Sequence, residues 1–382
     1  MSERLFDREF VRLLLANAAF QYGFASFFLL PKFMTQELGA GASEIGALAA
    51  AFGVAVVAAV PITGRLLNVL GHRRVLLLGA TTALFTSLGF TLVNRVGMVL
   101  FLLRCGQGLA MSLFLNAGSV IAADTAPVGR LAQAMALFAA SGMIMTAIAP
   151  SIAEVVAERS GYTPTFIAAA LAAVLALLLA RGLTAGPPRR SESGSLRSLL
   201  RRGTTLRMLA VLGATGLGFG AMFSFSAPFS LELGMANVRG FFLAFTAGAL
   251  VVRLGFGGWI DHIGHRRSST WAVFSYALTV SAMYLLTPSR LWLFGALFGV
   301  AHGLFMPAFT AFVVSHAATH ERGKLLTLFN GAFNLGNCLV FGLGIAAERY
   351  GYRSVFAATG AVVMIAPILL LGWPQLIEAK RA

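Results

Sequence analysis

Three ionisable residues lie inside runs that are otherwise apolar, and each suits a different chemistry. Arg104 comes about seven residues into such a run, with no acid near it in sequence. A charge at that depth in a bilayer costs about 2.5–3.5 kcal/mol even by insertion scales, so it should face a cavity or a partner. Gln107 and Met111 follow at i+3 and i+7 and share its face. Such an arginine can hold an anionic group or take part in moving a proton. The plainer alternative is a long side chain that snorkels to the headgroups. His302 is central in a later run, and an imidazole titrating near neutrality is a proton switch. A neutral histidine satisfied between two helices is the competing reading. With Met306 at i+4 it has the spacing of a soft-metal pair, but a core pair is the default and no metal site is expected. Glu154 is the third residue, beside Pro150. It is a proton-coupling candidate, or simply a solvated acid near the end of its run.

Uncharged polar residues mark faces. Asn330, Asn334 and Asn337 fall at i, i+4 and i+7, one stripe of a helix, and Asn17 and Gln21 fall at i, i+4. Together with Arg104, Gln107 and His302 they are the expected lining of a substrate cavity; interhelical hydrogen bonding is the alternative for either set, but three asparagines on one face exceed what packing usually needs. Phe219, Phe223, Phe225 and Phe229 enrich one later run, in a chain with 32 phenylalanines, and an adaptable apolar wall of that kind suits amphipathic substrates.

The elements that must position these residues are transmembrane helices. Hydrophobic residues are 58% of the chain and charged residues 11%, against roughly 25% charged in soluble domains, so lipid must be the solvent. The net charge of +15 does not point to nucleic acid, because the arginines sit in short loops and form no continuous basic face. Cys105 and Cys338 lie in apolar runs and imply neither a disulfide framework nor a metal site. The amino terminus does not read as a cleaved signal, since the apolar run after Arg12 continues to Leu30. Twelve runs have spanning length: about 11–31, 44–64, 74–93, 97–122, 132–156, 163–182, 207–230, 239–260, 268–287, 291–316, 324–347 and 352–373. Lipid demands closed backbone hydrogen bonding, so the runs should be helices. One long polar stretch, 183–206, divides the chain into an amino-terminal bundle, 1–182, and a carboxy-terminal bundle, 207–382, of six helices each. With both termini cytoplasmic, inner segments carry twenty Lys and Arg against seven outside, Lys32 among the seven. That ratio sets the expected orientation in the cell inner membrane.

The two bundles are copies. Gly64-Arg-Leu-Leu-Asn68-Val-Leu-Gly71-His72-Arg73-Arg74 returns as Gly257-Gly-Trp-Ile-Asp261-His-Ile-Gly264-His265-Arg266-Arg267. Ala157-Glu158-Arg159-Ser-Gly161-Tyr162 matches Ala347-Glu348-Arg349-Tyr-Gly351-Tyr352, and Gly108-Leu-Ala-Met111 matches Gly303-Leu-Phe-Met306. Offsets that drift between 190 and 195 residues are what a duplication with small insertions leaves. Parallel repeats about an axis normal to the membrane are a transporter plan with substrate near the midplane.

These residues carry a resemblance. The two Gly-x-x-x-(Asp/Asn)-x-x-Gly-x-Arg-Arg loops resemble the signature loop of the major facilitator superfamily, and Arg104-Cys-Gly-Gln107-Gly108 resembles its Arg-x-x-Gln-Gly motif. Ala149-Pro150-Ser-Ile-Ala153 is similar to the Gly-Pro-x-x-Gly motif of its proton-driven exporters, with alanine at both glycines. The resemblance implies an all-α membrane fold of twelve helices in two pseudo-symmetric bundles. It implies that Gly64, Asn68, Gly71, Arg73, Arg74, Asp261, Gly264, Arg266 and Arg267 form a cytoplasmic latch that locks the outward-open state. Asn68 stands where the family has an acid, which leaves Asp124 to pair with Arg73 or Arg74. The plainer alternative is that the arginines only anchor topology. Arg253 is expected to support the second loop rather than bind substrate.

The expected function is secondary transport of a small amphipathic or anionic organic compound by alternating access, with proton-coupled export ahead of nutrient uptake or facilitated passage. A receptor or assembly protein on the same scaffold is the second class. No nucleophile–base constellation, phosphate loop or metal cluster suggests an enzyme. Protons, the lipid bilayer and a small molecule are the expected partners of a monomer that needs no cofactor.

Overall fold

The computed structural model describes residues 6–127, 130–184, 199–255, 263–315 and 321–372, and within them every regular element is helical. Asp261 and most of the expected linker lie outside the described residues. Helix α1 (Arg8–Ser26) begins where the Asp7 carboxylate accepts from the Phe10 amide at 2.7 Å, an N-cap that satisfies an orphan donor. A 3₁₀ turn, Phe27–Leu29, joins it to α2 (Leu30–Glu37), which opens with Pro31, the position where proline costs no hydrogen bond. The first span therefore does not end near residue 31, as hydropathy suggests, but runs on to Glu37. It carries Lys32 inside a helix instead of in an outer loop.

The remaining helices of the first half are α3 (Ala42–Leu70), α4 (His72–Phe90), α5 (Met98–Thr125), α6 (Leu131–Ser160) and α7 (Tyr162–Arg181). The second half has α8 (Gly203–Glu232), α9 (Arg239–Gly255), α10 (His265–Ala282), α11 (Leu291–Ser315), α12 (Arg322–Cys338), α13 (Val340–Val363) and α14 (Ile365–Leu371). Among the described residues eight stretches are long and apolar enough to cross a membrane, and the longest, Leu328–Leu371, bends at Gly351 into two legs. With the shorter α4, α9 and α10, the described residues make twelve helical legs.

The duplication extends to the backbone. Gly71 (φ 80°, ψ 162°) and Gly264 (φ 89°, ψ 143°) make matching turns at one end of the bundle. Gly161 (φ 80°, ψ 176°) and Gly351 (φ 78°, ψ 160°) make matching turns at the other. That region of backbone space is open essentially to glycine alone. These four repeated glycines are thus repeated corners in the fold.

Within the first half α1 lies on α6 and α7, and α4 lies between α5 and α7; in the second, α8 lies on α12, and α11 lies between α9 and α10. Glycines permit the closest approaches, and these too repeat. A Cβ on Gly108 would meet Phe52 O at 2.7 Å, and one on Gly303 would meet Ala249 Cα at 2.8 Å. Small residues at such crossings supply the packing that hydrophobicity cannot supply in lipid.

The halves meet along α3 with α12–α13, α6 with α9, and α2 with α8. They do not meet over their whole length. On the shared face of α3, a Cβ on Gly46 would touch Val340 O at 2.6 Å, and one on Gly53 would touch Cys338 Sγ at 2.6 Å. Three turns further on, Gly64 has nothing within 4 Å, and across from it Asn330 is exposed and Gly331 is equally open. The halves are held at the end with the Gly161 and Gly351 turns and splay towards the end with the Gly-His-Arg-Arg turns.

Candidate functional site

At the held end the central contact is a buried ion pair. Lys32 Nζ lies 2.5 Å from Glu154 Oε1, with side chains 3% and 0% exposed. Desolvating two charges is repaid only when further hydrogen bonds satisfy them. Those bonds come from the opposite half: Lys32 Nζ donates to Ala236 O at 2.9 Å, and the Val238 amide donates to Glu154 Oε1 at 2.7 Å. Glu154 is therefore not the solvated acid that its sequence position allows. A half-exposed rim surrounds the pair. Arg239 Nη1 reaches Glu158 Oε2 at 3.4 Å, and Ser43 donates its amide and hydroxyl to Glu348 Oε1 at 3.0 and 2.6 Å.

Below this contact an aromatic series joins the two halves. Arg104 sits on α5 with its Cζ 4.6 Å above the Phe52 ring and donates Nη1 to Gln107 Oε1 at 2.7 Å; its Nε is buried with no acceptor. From Phe52 the rings run to Phe24 (5.4 Å between centroids), Phe28 (5.6 Å), Phe223 (4.7 Å), Phe219 (4.2 Å) and His302 (5.1 Å). Phe28 belongs to the 3₁₀ break of the first span, which turns it towards Phe223 on the other half. His302 is also ringed by Phe245, Tyr276, Phe298 and Phe333 at 5.9 to 6.4 Å, and its Nδ1 is buried without a partner. Arg104 and His302 thus stand at the two ends of one aromatic wall. The arrangement can seat an amphipathic molecule, with an acidic group at Arg104, an apolar body on the rings and a polar group at His302.

The asparagine faces divide. Asn17 is buried in the α1–α6 seam, where Nδ2 donates to Phe138 O and Ser141 Oγ at 2.9 Å each, leaving Oδ1 without a donor. Gln21 packs on Gly142 in the same seam, and its Oε1 is also unpartnered. These two act first as interhelical ties. Asn337 packs on Gly220 of α8, Asn334 donates to Asn330 O at 2.9 Å, and Asn330 reaches the splayed gap. The stripe therefore runs from a helix contact into open space.

At the splayed end the first signature turn is held within its own half. Arg73 Nη2 donates to Arg181 O at 2.5 Å, Arg74 and Asn68 are exposed, and Asp124 Oδ2 lies 3.5 Å from His72 Nδ1. One partner of the Asp124 carboxylate is thus the histidine between the glycine and the arginines, which sequence reasoning passed over. In the second turn His265 Nδ1 is buried and unpartnered, Arg266 is half-buried and Arg267 is exposed. Nearby, Arg202 forks onto Glu321 with two bonds of 2.8 Å, and that hydrogen bonding holds its guanidinium above the usual arginine value.

Sequence reasoning missed Lys32 and His72 and assigned Arg253 to the support of the second signature loop. Lys32 gave no signal beyond being a lone cation at the end of a hydropathy run. His72 was legible as the residue repeated with the two arginines. Arg253 is half-buried in α9, and its Nε is enclosed with no acceptor among the described residues.

Known proteins share this architecture. A family model described as Major Facilitator Superfamily matches residues 13–341 and 242–381. A crystal structure of the nucleoside transporter NupG superposes with a TM-score of 0.80 at 15% identity, over 95% of this chain and 99% of that one. A POT family transporter bound to a thioalcohol-conjugated peptide gives 0.78 at 12% identity, over 95% of each chain. The human organic anion transporter MFSD10 gives 0.72 at 14%, over 95% and 99%.

Proposed function

The chain belongs to the Major Facilitator Superfamily, and from that footing we propose that it is a proton-coupled secondary transporter exporting a small amphipathic organic anion across the cell inner membrane. The splayed end faces the cytoplasm in this reading, in keeping with the positive charge of the signature turns, so the structure corresponds to the inward-open state. Substrate enters between the halves, lays its apolar body on the aromatic wall and places its acid at Arg104. The guanidinium of Arg104, whose buried Nε has no acceptor among the described residues, carries this reading. A buried donor without a partner is costly, and an anion removes the cost.

Export requires the held end to open. When the held end opens with substrate, Glu154 parts from Lys32 and from the loop at Ala236 and Val238 and takes a proton from the outer side. The held contact re-forms only once that proton has left towards the cytoplasm, which couples inward proton movement to outward substrate movement. His302 offers a second proton site beside the wall. The Ala149-Pro150-Ser-Ile-Ala153 stretch, on the helix that carries Glu154, supports the exporter direction through its similarity to the exporter motif.

The test is flux in inside-out vesicles with an imposed pH gradient, using a panel of organic anions. Uptake into vesicles with an acidic lumen supports export. Uptake that needs the opposite gradient, or none, overturns the direction. Absence of turnover across a broad panel overturns transport in favour of a receptor. If His302→Gln keeps the full pH dependence while Glu154→Gln loses it, the proton passes through Glu154 alone.

A further inference from the structure

We infer that Arg253 is a second anion-binding residue of the cleft and that the substrate carries two acidic groups, one read by each half. This rests on the proposed transport function and specifies its substrate class.

Arg253 lies one turn beyond Ala249, which meets Gly303 of α11, so it projects from the face of α9 that packs against α11 beside His302. Its Nε is buried and has no acceptor, and no ion pair forms on it among the described residues. Arg104 is the counterpart in the other half, also with a buried Nε and also without an acid among the described residues. Buried charges in membranes are retained where they pair or function, and here each half carries one such cation with no counter-charge among the described residues.

Their levels differ. Gly108 and Gly303 are repeat equivalents that make equivalent contacts. Arg104 lies a turn to the held side of that level and Arg253 a turn to the splayed side. At 1.5 Å per residue the two backbone positions differ by about 12 Å along the helices. A single acid group leaves one guanidinium buried and unpaired, whereas an extended diacid satisfies both. A diacid also gives the halves a reason to close. Its two ends bind opposite halves, so it binds a closed cleft better than a splayed one, and that difference is what shifts the conformational equilibrium.

The experiment is calorimetric titration of purified, monodisperse protein with suberate, its monoamide, and 1,8-diaminooctane. Suberate is expected to bind at least tenfold more tightly than the monoamide, and the diamine not at all. Arg253→Gln should bring suberate down to the monoamide's affinity and leave the monoamide unchanged, and Arg253→Lys should restore part of the preference. Equal affinity for suberate and monoamide, or no suberate binding by the natural protein, overturns the inference. If Arg104→Gln abolishes monoamide binding while Arg253→Gln changes nothing, the second site is wrong and the anion reading of Arg104 stands. If neither variant changes any affinity, both fail. If Arg253→Gln loses monodispersity while Arg253→Lys keeps it, the ratio of suberate to monoamide affinity in Arg253→Lys decides: an unaltered ratio counts against a ligand role.

Discussion

Lys32 and Glu154 are 122 positions apart on two helices of one half, and together they hold two backbone atoms of the other half, Ala236 O and the Val238 amide. Their pairing is the strut and their backbone bonds are the latch. Removing one partner leaves a buried charge, which costs about 3–5 kcal/mol. Lys32→Ala or Glu154→Ala should therefore lower the Tm clearly. Lys32→Met combined with Glu154→Met should recover most of the stability, because an apolar pair of similar volume avoids desolvation. The double variant should still fail to couple transport to a pH gradient. Thermal melts and vesicle flux on the three variants check this, and full coupling in the double variant would falsify the latch.

Gly53 and Cys338 offer a direct test of the held interface. A Cβ on Gly53 would sit 2.6 Å from Cys338 Sγ, close to the geometry of a disulfide. Gly53→Cys in a Cys105→Ser background should cross-link to Cys338 on mild oxidation and stop transport, with recovery on reduction. Mass spectrometry of the linked peptides reads the bond. A cross-link that leaves flux intact would show that α3 and α12 need not separate.

Arg104 lies over Phe52 and binds Gln107. Arg104→Gln should keep the fold yet reduce anion transport by more than tenfold. Arg104→Lys should recover only part, since a cation–π contact to a planar guanidinium is worth about 0.5–2 kcal/mol and lysine loses the fork. Unchanged flux in a well-folded Arg104→Gln protein would remove this residue from the cleft.

His72 and Asp124 should be energetically coupled. A double-mutant cycle of His72→Ala and Asp124→Ala, read by thermal stability, should show an interaction energy of about 0.5–1 kcal/mol. Additive effects would mean that the 3.5 Å approach contributes nothing.

Gly71 and Gly161 turn with φ near 80°, in backbone space essentially closed to other residues. Gly71→Ala and Gly161→Ala should each cost about 1–3 kcal/mol. Gly97→Ala is the control, because Gly97 is extended and its Cβ would meet open space. Equal Tm values for all three would refute the strain argument.

Much of this was legible before any coordinates. Lipid demands closed hydrogen bonding, so apolar runs of spanning length had to be helices, and the repeated Gly-His-Arg-Arg stretches marked Gly71 and Gly264 as equivalent loop positions. The placement of Arg104, His302 and Glu154 within long helices followed from counting along their runs. All of these are local properties of the chain. Local counting failed where burial and hydropathy disagree. Lys32 ends a hydropathy run and reads as a loop residue, yet it lies inside a helix with a partner 122 positions away.

Only the tertiary structure decided which polar groups meet. Asn17 and Asn330 look alike in sequence, but one ties α1 to α6 and the other reaches the gap between the halves. In lipid the outside of a helix is as apolar as its packed side, so the sequence carries little record of which face turns inwards. The wall from Arg104 to His302, the latch at Lys32 and the splay at Gly64 all depend on how helices from two halves are rotated against each other. Side chains far apart in the chain settle that rotation, and it exists only once they have packed.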